Sequence, residues 1–207
     1  MLLSISDAAA MLAAAGASVP AMSVVNTIDD VEAQAARTAP PFCLKVADPA
    51  ISHKSDLDGV ILDVESSRGL LEAAETLWRK FPDSPLLVMP SFPPGVELLV
   101  GAFNDELFGP TALVGRGGVW TEIEQDTVVV PDPTTPTMIG DELPRLRMWP
   151  MLNGGRGRPP ADLDAVCELA MAFVRVVKED PRLIVEVNPA IVYSEGYALA
   201  DIRVARR

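Results

Sequence analysis

The chain has 207 residues, 29 of them acidic and 17 basic, for a net charge of −12. That length accommodates one large domain or two small lobes. With 49% of residues apolar and 22% charged, the composition supports a packed core and excludes disorder except at the ends. The acidic balance excludes a general nucleic-acid or anionic-membrane binder, which needs a basic surface, so an anionic ligand requires locally gathered cations or a metal. No uninterrupted apolar stretch approaches the ~20 residues of a membrane span. The opening Met1 to Gly16 lacks a basic leader and is interrupted by Asp7, so it does not read as a signal peptide. Cys43 and Cys167 lie in apolar surroundings at no metal-ligand spacing and read as buried thiols of a cytoplasmic protein.

In chain order, Ser6 or Asp7 caps an Ala-rich helix that stops at Gly16, with Pro20 beyond it. A second helix follows Thr27, with Asp29, Asp30 and Glu32 in its first turn, where the helix dipole favours anions. Pro40 and Pro41 precede an apolar strand at Phe42–Val46 that carries one cation, Lys45. A polar loop over 48–58 leads to a strand at Val60–Val64. Leu70, Leu71, Ala74, Leu77, Trp78 and Phe81 share one face of a helix over 67–81, and 86–88 is a further strand. Pro90, Pro93, Pro94 and Gly95 then break the pattern and mark a lobe boundary or hinge. Short strands are expected at 96–103, 110–115, 119–123 and 126–130, followed by an irregular or helical connection over 133–150. The clearest helix covers 161–179. A terminal hairpin runs 184–193, turns at Ser194-Glu195-Gly196 and returns over 197–204. Strands and helices alternate in both halves, which gives a mixed α and β class.

In that hairpin Glu186 and Asn188 are two apart and point to one face of a strand. A turn near Glu195 places Asn188 across from Asp201, within a residue of register. Three oxygen-bearing side chains on one face repel unless a cation sits among them, and such a donor set suits Mg²⁺. A solvated outer sheet face has the same spacing. Lys45 either snorkels at its strand end or meets an anion. His53, the single histidine, is either an inert loop residue or an acceptor for a phosphoryl group. Gly115-Arg116-Gly117-Gly118 suits an anion-cradling loop and equally a tight hairpin. Gly154-Gly155-Arg156-Gly157-Arg158 lies just ahead of the long helix, whose dipole favours an anion at its start. Neither G-x-x-x-x-G-K-[ST] nor a helix-opening G-x-G-x-x-G is present, which excludes those two nucleotide folds.

Several segments, taken in order, carry a resemblance. They are Leu44-Lys45-Val46 with Asp48-Pro49, Ile51-Ser52-His53-Lys54-Ser55-Asp56 followed by Gly59-Val60, and Pro93-Pro94-Gly95-Val96-Glu97-Leu98-Leu99-Val100-Gly101. Phe108-Gly109-Pro110, Gly117-Gly118, Arg156-Gly157-Arg158-Pro159-Pro160 and Glu186-Val187-Asn188-Pro189 complete the set. Together they resemble the ATP-grasp domain (the beta subunit or domain) of ADP-forming acyl-CoA synthetases, relatives of succinyl-CoA synthetase beta chains, over nearly the whole chain. The resemblance implies an α+β, two-lobed ATP-grasp fold of mixed sheets with packed helices. Its N-terminal lobe is expected over 1–90 and its C-terminal lobe over 91–207, with ATP or ADP and Mg²⁺ held between them.

By the same resemblance Lys45 meets the nucleotide phosphates. Val88, Met89, Ser91 and Phe92 line the adenine side, largely through backbone groups. Glu97, Gly117, Gly118 and Arg156 belong to the nucleotide site. Asn188 and Asp201 hold Mg²⁺ with Glu186 beside them, and His53 occupies the phosphoryl-relay position. The implied activity is the nucleotide-binding, phosphoryl-transferring part of an enzyme that converts acid, CoA and ATP to acyl-CoA, ADP and phosphate through phosphohistidine. A CoA-binding alpha subunit or domain is the implied partner and brings CoA and a small carboxylic acid; neither nucleic acid nor membrane is implied. The alternative is the same fold as a nucleotide-binding module without catalysis. Three departures bear on that choice: Asp58 where the family carries glycine, Val130 where it often carries arginine, and Met89 where a polar residue is common. Arg116 is an addition that could offset the loss at Val130.

Overall fold

The apolar residues collect in two units. The computed structural model describes residues 1–48, 51 and 57–207, with Arg156 described by its backbone. It divides into Pro20–Pro93 and a larger unit, Met1–Val19 with Pro94–Arg207. The 91–207 lobe expected from the sequence therefore lacks the first nineteen residues of the larger unit. In helix α1 (Ile5–Ala14), Ala8 and Leu12 are buried, and the helix packs on elements of the larger unit. Arg175 Nε donates to Ala15 O at 3.0 Å, and Tyr197 Oη accepts from Ser18 N at 2.9 Å. The cap of α1 is Ser4, which accepts from Asp7 N, rather than Ser6 or Asp7. Ser4 Oγ also donates to the Asp7 carboxylate at 2.7 Å, a reciprocal pairing that starts the helix earlier.

The smaller unit holds β1 (Ser23–Val25), α2 (Ile28–Ala35), β2 (Phe42–Val46), β3 (Val60–Val64), α3 (Ser67–Lys80) and β4 (Leu86–Pro90), with strand order β1-β4-β2-β3. Helix α2 forms where Thr27 and Asp30 close a capping box. Helix α3 buries Leu70, Ala73, Ala74 and Leu77, spaced three and four apart, and each leucine contributes about 2 kcal/mol by leaving water. Phe42, Leu44, Val46, Leu86 and Val88 meet that helix face in one core. The alternate residues of the same strands, Cys43, Lys45, Leu87 and Met89, are buried on the other side of the sheet. Strand β1 has only three residues and was absent from the sequence reading, because so short a run carries no period.

The larger unit contains β5 (Val96–Asp105), β6 (Gly109–Arg116), α4 (Thr121–Glu124), β7 (Thr127–Val130), α5 (Pro136–Glu142), α6 (Trp149–Leu152), α7 (Leu163–Glu179), β8 (Leu183–Val192), β9 (Tyr197–Leu199) and β10 (Ile202–Arg206). Its sheet runs β10-β8-β5-β6-β7, with β9 also on β8. All described ladders in both sheets are antiparallel, where mixed sheets were expected. Short turns join β5 to β6, as at Asp105, whose carboxylate accepts from Leu107 N and Phe108 N, and a short turn returns the chain antiparallel. Nine residues of α7 are buried, more than one helical stripe, because β5, β6 and β8 lie on one side and α1 and α5 flank it.

The strand expected at 119–123 is instead a 3-10 turn, Gly118–Trp120, followed by α4. Gly118 adopts φ +71°, which turns the chain out of the path of β6 and overrides the strand preference of Val119, Trp120 and Ile123.

Both cysteines are buried. Burial, followed by the nearby Asp164 and Glu168, pushes the Cys167 thiol up to about 11. At pH 8 almost none of it is thiolate, and the thiolate is the reactive species. Iodoacetamide at pH 8 is therefore expected to leave Cys167 unmodified in the folded chain and to label it in urea, as read by peptide mass; equal labelling in both would contradict this.

Candidate functional site

In the larger unit the site begins at an irregularity in β8. Leu98 of β5 pairs with Ala190 and Val100 with Val187, so Leu99 faces two residues, Asn188 and Pro189. This is a β-bulge, a device that re-aims side chains. Val187 and Ala190 are both buried, while Glu186 and Asn188 are half-buried and point to the opposite face of the sheet. Asp201 lies across from Asn188, whose N–H donates to Asp201 O at 3.0 Å. Opposite residues share a face, so the register brings Glu186, Asn188 and Asp201 to one side. Arg203 pairs with Glu186 from β10 and is exposed, a cation that the sequence reading did not single out.

The glycine loop closes on this group from the end of β6. Gly117 N–H donates to Glu97 O at 3.0 Å, and Gly118 N–H donates to Asn188 Oδ1 at 2.7 Å. Both amides are engaged inside the chain. A Cβ on Gly117 would lie 2.6 Å from Leu98 O and 2.8 Å from Leu99 N, and one on Gly118 would collide with the Glu97 carboxylate. Glu97 thus packs on the loop from β5. Thr121 was missed. Its hydroxyl lies 2.9 Å from Gly118 O, 3.0 Å from Arg116 O and 3.3 Å from Asn188 Oδ1. The Thr121-x-x-Glu124 spacing is a helix-start signal, but the expected strand over 119–123 concealed it.

Arg116 pairs with Glu124 at 2.9 Å and stacks 5.3 Å from the Trp120 ring. Asp162 is the N-cap of α7 and its carboxyl is held below the usual range, first by the N–H of Gly196 and then by that of Ala165. The anion at the start of the long helix is therefore the chain's own carboxylate. Of the glycine–arginine loop before it, the Arg156 side chain lies outside the described residues.

In the smaller unit Lys45 is 6% exposed. It pairs with Val60 and Leu87 and shares with Cys43 and Met89 the sheet face turned away from the unit's helical core. Val88 belongs to that core and is flanked by β1 and β2. Strand β1 begins at Ser23, opposite Val88, so past that pair this edge of Met89 and Pro90 has no strand pairing among the described residues. Ser91 Oγ donates to Phe42 O at 3.0 Å and accepts from Asp63 N at 2.9 Å, which fastens the irregular edge of β3 to β2. Phe92 is half-buried. Asp58 has φ +49°, a left-handed conformation that favours the glycine expected there. Its carboxylate is exposed, pairs with Lys80 at 2.9 Å and is lowered by that hydrogen bond first. Val130 and Met89 are core residues. His53 and Lys54 lie outside the described residues.

Among the described residues no three His, Cys, Asp or Glu side chains gather closely enough to hold a metal. The donors present are an amide and separate carboxylates on one face. That set fits a magnesium ion that keeps most of its shell as water and phosphate oxygens, the usual arrangement for Mg²⁺ on one or two protein groups, rather than a cation caged by protein alone. No described helix is long and apolar enough to cross a membrane.

The ATP-grasp domain family matches residues 1–205 of this chain. Over 209 residues the chain is 30% identical to the beta subunit of acetate–CoA ligase [ADP-forming] II of Pyrococcus furiosus, covering 96% of this chain and 89% of that one. It is 29% identical over 201 residues to acetate–CoA ligase [ADP-forming] I of Archaeoglobus fulgidus, covering 94% of this chain but 29% of that one. It thus spans nearly all of the first relative and under a third of the second. An acetyl-coenzyme A synthetase 1 structure from Ca. Korarchaeum cryptofilum, in complex with coenzyme A and Mg-AMPPCP, superposes with a TM-score of 0.87 at 26% identity, covering 100% of this chain and 93% of that one.

Proposed function

The chain belongs to the ATP-grasp family, and from that membership we propose that it is the nucleotide-binding, phosphoryl-transferring component of an ADP-forming acyl-CoA synthetase. The observation that carries this reading is the match over nearly the full length of the Pyrococcus furiosus beta subunit. The partner is a CoA-binding alpha subunit or domain, which supplies CoA and the acid. In the larger unit Asn188 and Asp201, with Glu186 beside them, hold Mg²⁺, and Glu97, Gly117, Gly118 and Arg156 contact the nucleotide. In the smaller unit Lys45 meets the phosphates, and Val88 to Phe92 receive the base through backbone groups. His53 relays the phosphoryl group: its imidazole nitrogen forms the P–N bond as the P–O bond to ADP breaks. That P–N bond then breaks as the group passes to a histidine of the CoA-binding partner, from which it goes to the acid and leaves as phosphate once CoA takes the acyl group. Magnesium neutralises phosphate charge, and the protein's task is otherwise positioning.

Val130 and Met89 are buried apolar residues where the family resemblance calls for polar ones, and this favours a second reading, a nucleotide-binding module without catalysis. Incubation with γ-labelled ATP and Mg²⁺ separates the two. The expected result is acid-labile label on His53, followed by ADP release when the partner, CoA and a panel of small acids are added to the chain and ATP. Nucleotide bound with no label supports the module, and absence of nucleotide binding overturns both.

A further inference from the structure

Asn188 is oriented before any ligand arrives. Gly118 N–H points at one atom of its terminal amide, and only the carbonyl oxygen can accept it, since a flipped amide would set NH₂ against N–H. The oxygen has a second lone pair, which is open to a cation whenever the nearby Thr121 proton is donated elsewhere. What aims the Gly118 N–H is the turn over 116–121. Thr121 Oγ1 sits among Arg116 O, Gly118 O and Asn188 Oδ1, at 3.0, 2.9 and 3.3 Å. One hydroxyl proton serves one of these oxygens at a time: donated to Arg116 O or Gly118 O it fastens the turn and leaves the second lone pair of Asn188 Oδ1 to a cation. Glu97 O fixes the preceding Gly117 N–H at 3.0 Å, which leaves the turn little freedom to rotate.

We propose that Thr121 is a positioning residue for the cation-bound nucleotide. Its hydroxyl fixes the glycine turn, the turn fixes Gly118 N–H, and that N–H holds the Asn188 oxygen ready for Mg²⁺. Groups that orient a metal ligand through a hydrogen bond change metal affinity by about 10–100-fold when removed. The inference rests on the nucleotide reading above and concerns its magnesium-dependent part.

The test measures ADP affinity by calorimetry twice, with Mg²⁺ and with excess chelator, on the wild-type chain and on Thr121→Val, Thr121→Ala and Thr121→Ser. The expected result is a loss of roughly tenfold in Mg-ADP affinity for Val and Ala, unchanged metal-free ADP affinity, and near wild-type behaviour for Ser. A merely structural role for Thr121 lowers both affinities together, which overturns the inference, as does an unchanged Mg-ADP affinity in both Val and Ala. Thermal unfolding without ligand identifies any variant that has not folded, and the remaining hydroxyl-free variant then decides. If the wild-type chain binds no Mg-ADP, the nucleotide reading itself fails, a result visible before any variant is made.

Discussion

Lys45→Met is expected to lower magnesium-nucleotide affinity about 100-fold while leaving the smaller unit folded. Lys45 is 6% exposed in a strand whose five residues are all buried. Its neighbours on that sheet face, Cys43, Leu87 and Met89, are apolar, so an unbranched apolar side chain of similar length fits where the amine stem lies. Lys45 makes an interaction within the chain, and losing it opposes the gain from no longer burying a charge. The two changes oppose each other, and the thermal melt reads their balance. An ammonium–phosphate contact in such surroundings has no substitute, and charge-assisted hydrogen bonds contribute about 1.5–3 kcal/mol each. Calorimetric titration with Mg-ADP beside a thermal melt reads both quantities. A folded variant that binds as tightly as wild type removes Lys45 from the proposed nucleotide contacts.

The second large effect is expected at Gly117. Its φ of −95° suits any residue, so space alone enforces glycine there. An added Cβ would meet Leu98 O and Leu99 N, at 2.6 and 2.8 Å. These are backbone atoms of β5 and cannot rotate away, so Gly117→Ala pushes the turn off the strand. The cost is about 2–4 kcal/mol, the range for overpacking and lost backbone hydrogen bonds, and Gly118 N–H leaves Asn188 with it. Gly118→Ala behaves differently. It suffers its left-handed φ of +71°, about 1 kcal/mol, but the atom in its way is the end of the flexible Glu97 side chain. Urea unfolding should therefore rank Gly117→Ala well below Gly118→Ala in stability. The reverse order would mean that backbone conformation, not the approach of β5, holds the loop.

Much of the architecture was legible because long elements carry their period. Leu70, Ala74 and Leu77 announce α3, Phe42 to Val46 announce β2, and the apolar residues of α7 recur at helical spacing. Thr27, with Asp29, Asp30 and Glu32 just after it, marks the start of α2 in the sequence. Legibility failed where a single backbone angle or a distant contact decides. Val119, Trp120 and Ile123 have strand preference, yet Gly118 and the Thr121 hydroxyl turn that stretch into helical turns. Residues 1–19 precede the smaller unit in sequence but pack on α7 and β10, since α1 buries Ala8 and Leu12 where an apolar surface is available. The Ser91 hydroxyl bridges Phe42 O and Asp63 N, contacts that residue order alone does not set.

Sequence alone determined the family, through motifs in order along the chain, and placed Glu186 with Asn188 on one face, because a strand alternates its side chains every residue. It also placed Asp201 across from Asn188, since a hairpin turn fixes which residues meet. Tertiary structure alone decided what the Asn188 oxygen touches. Gly118 is 70 residues away in sequence, and its N–H reaches that oxygen only because β5 lies between β6 and β8 and the bulge at Asn188 and Pro189 turns the amide toward it. A hydrogen bond lives or dies within a few tenths of an ångström, and that precision comes from packed elements, not from residue order.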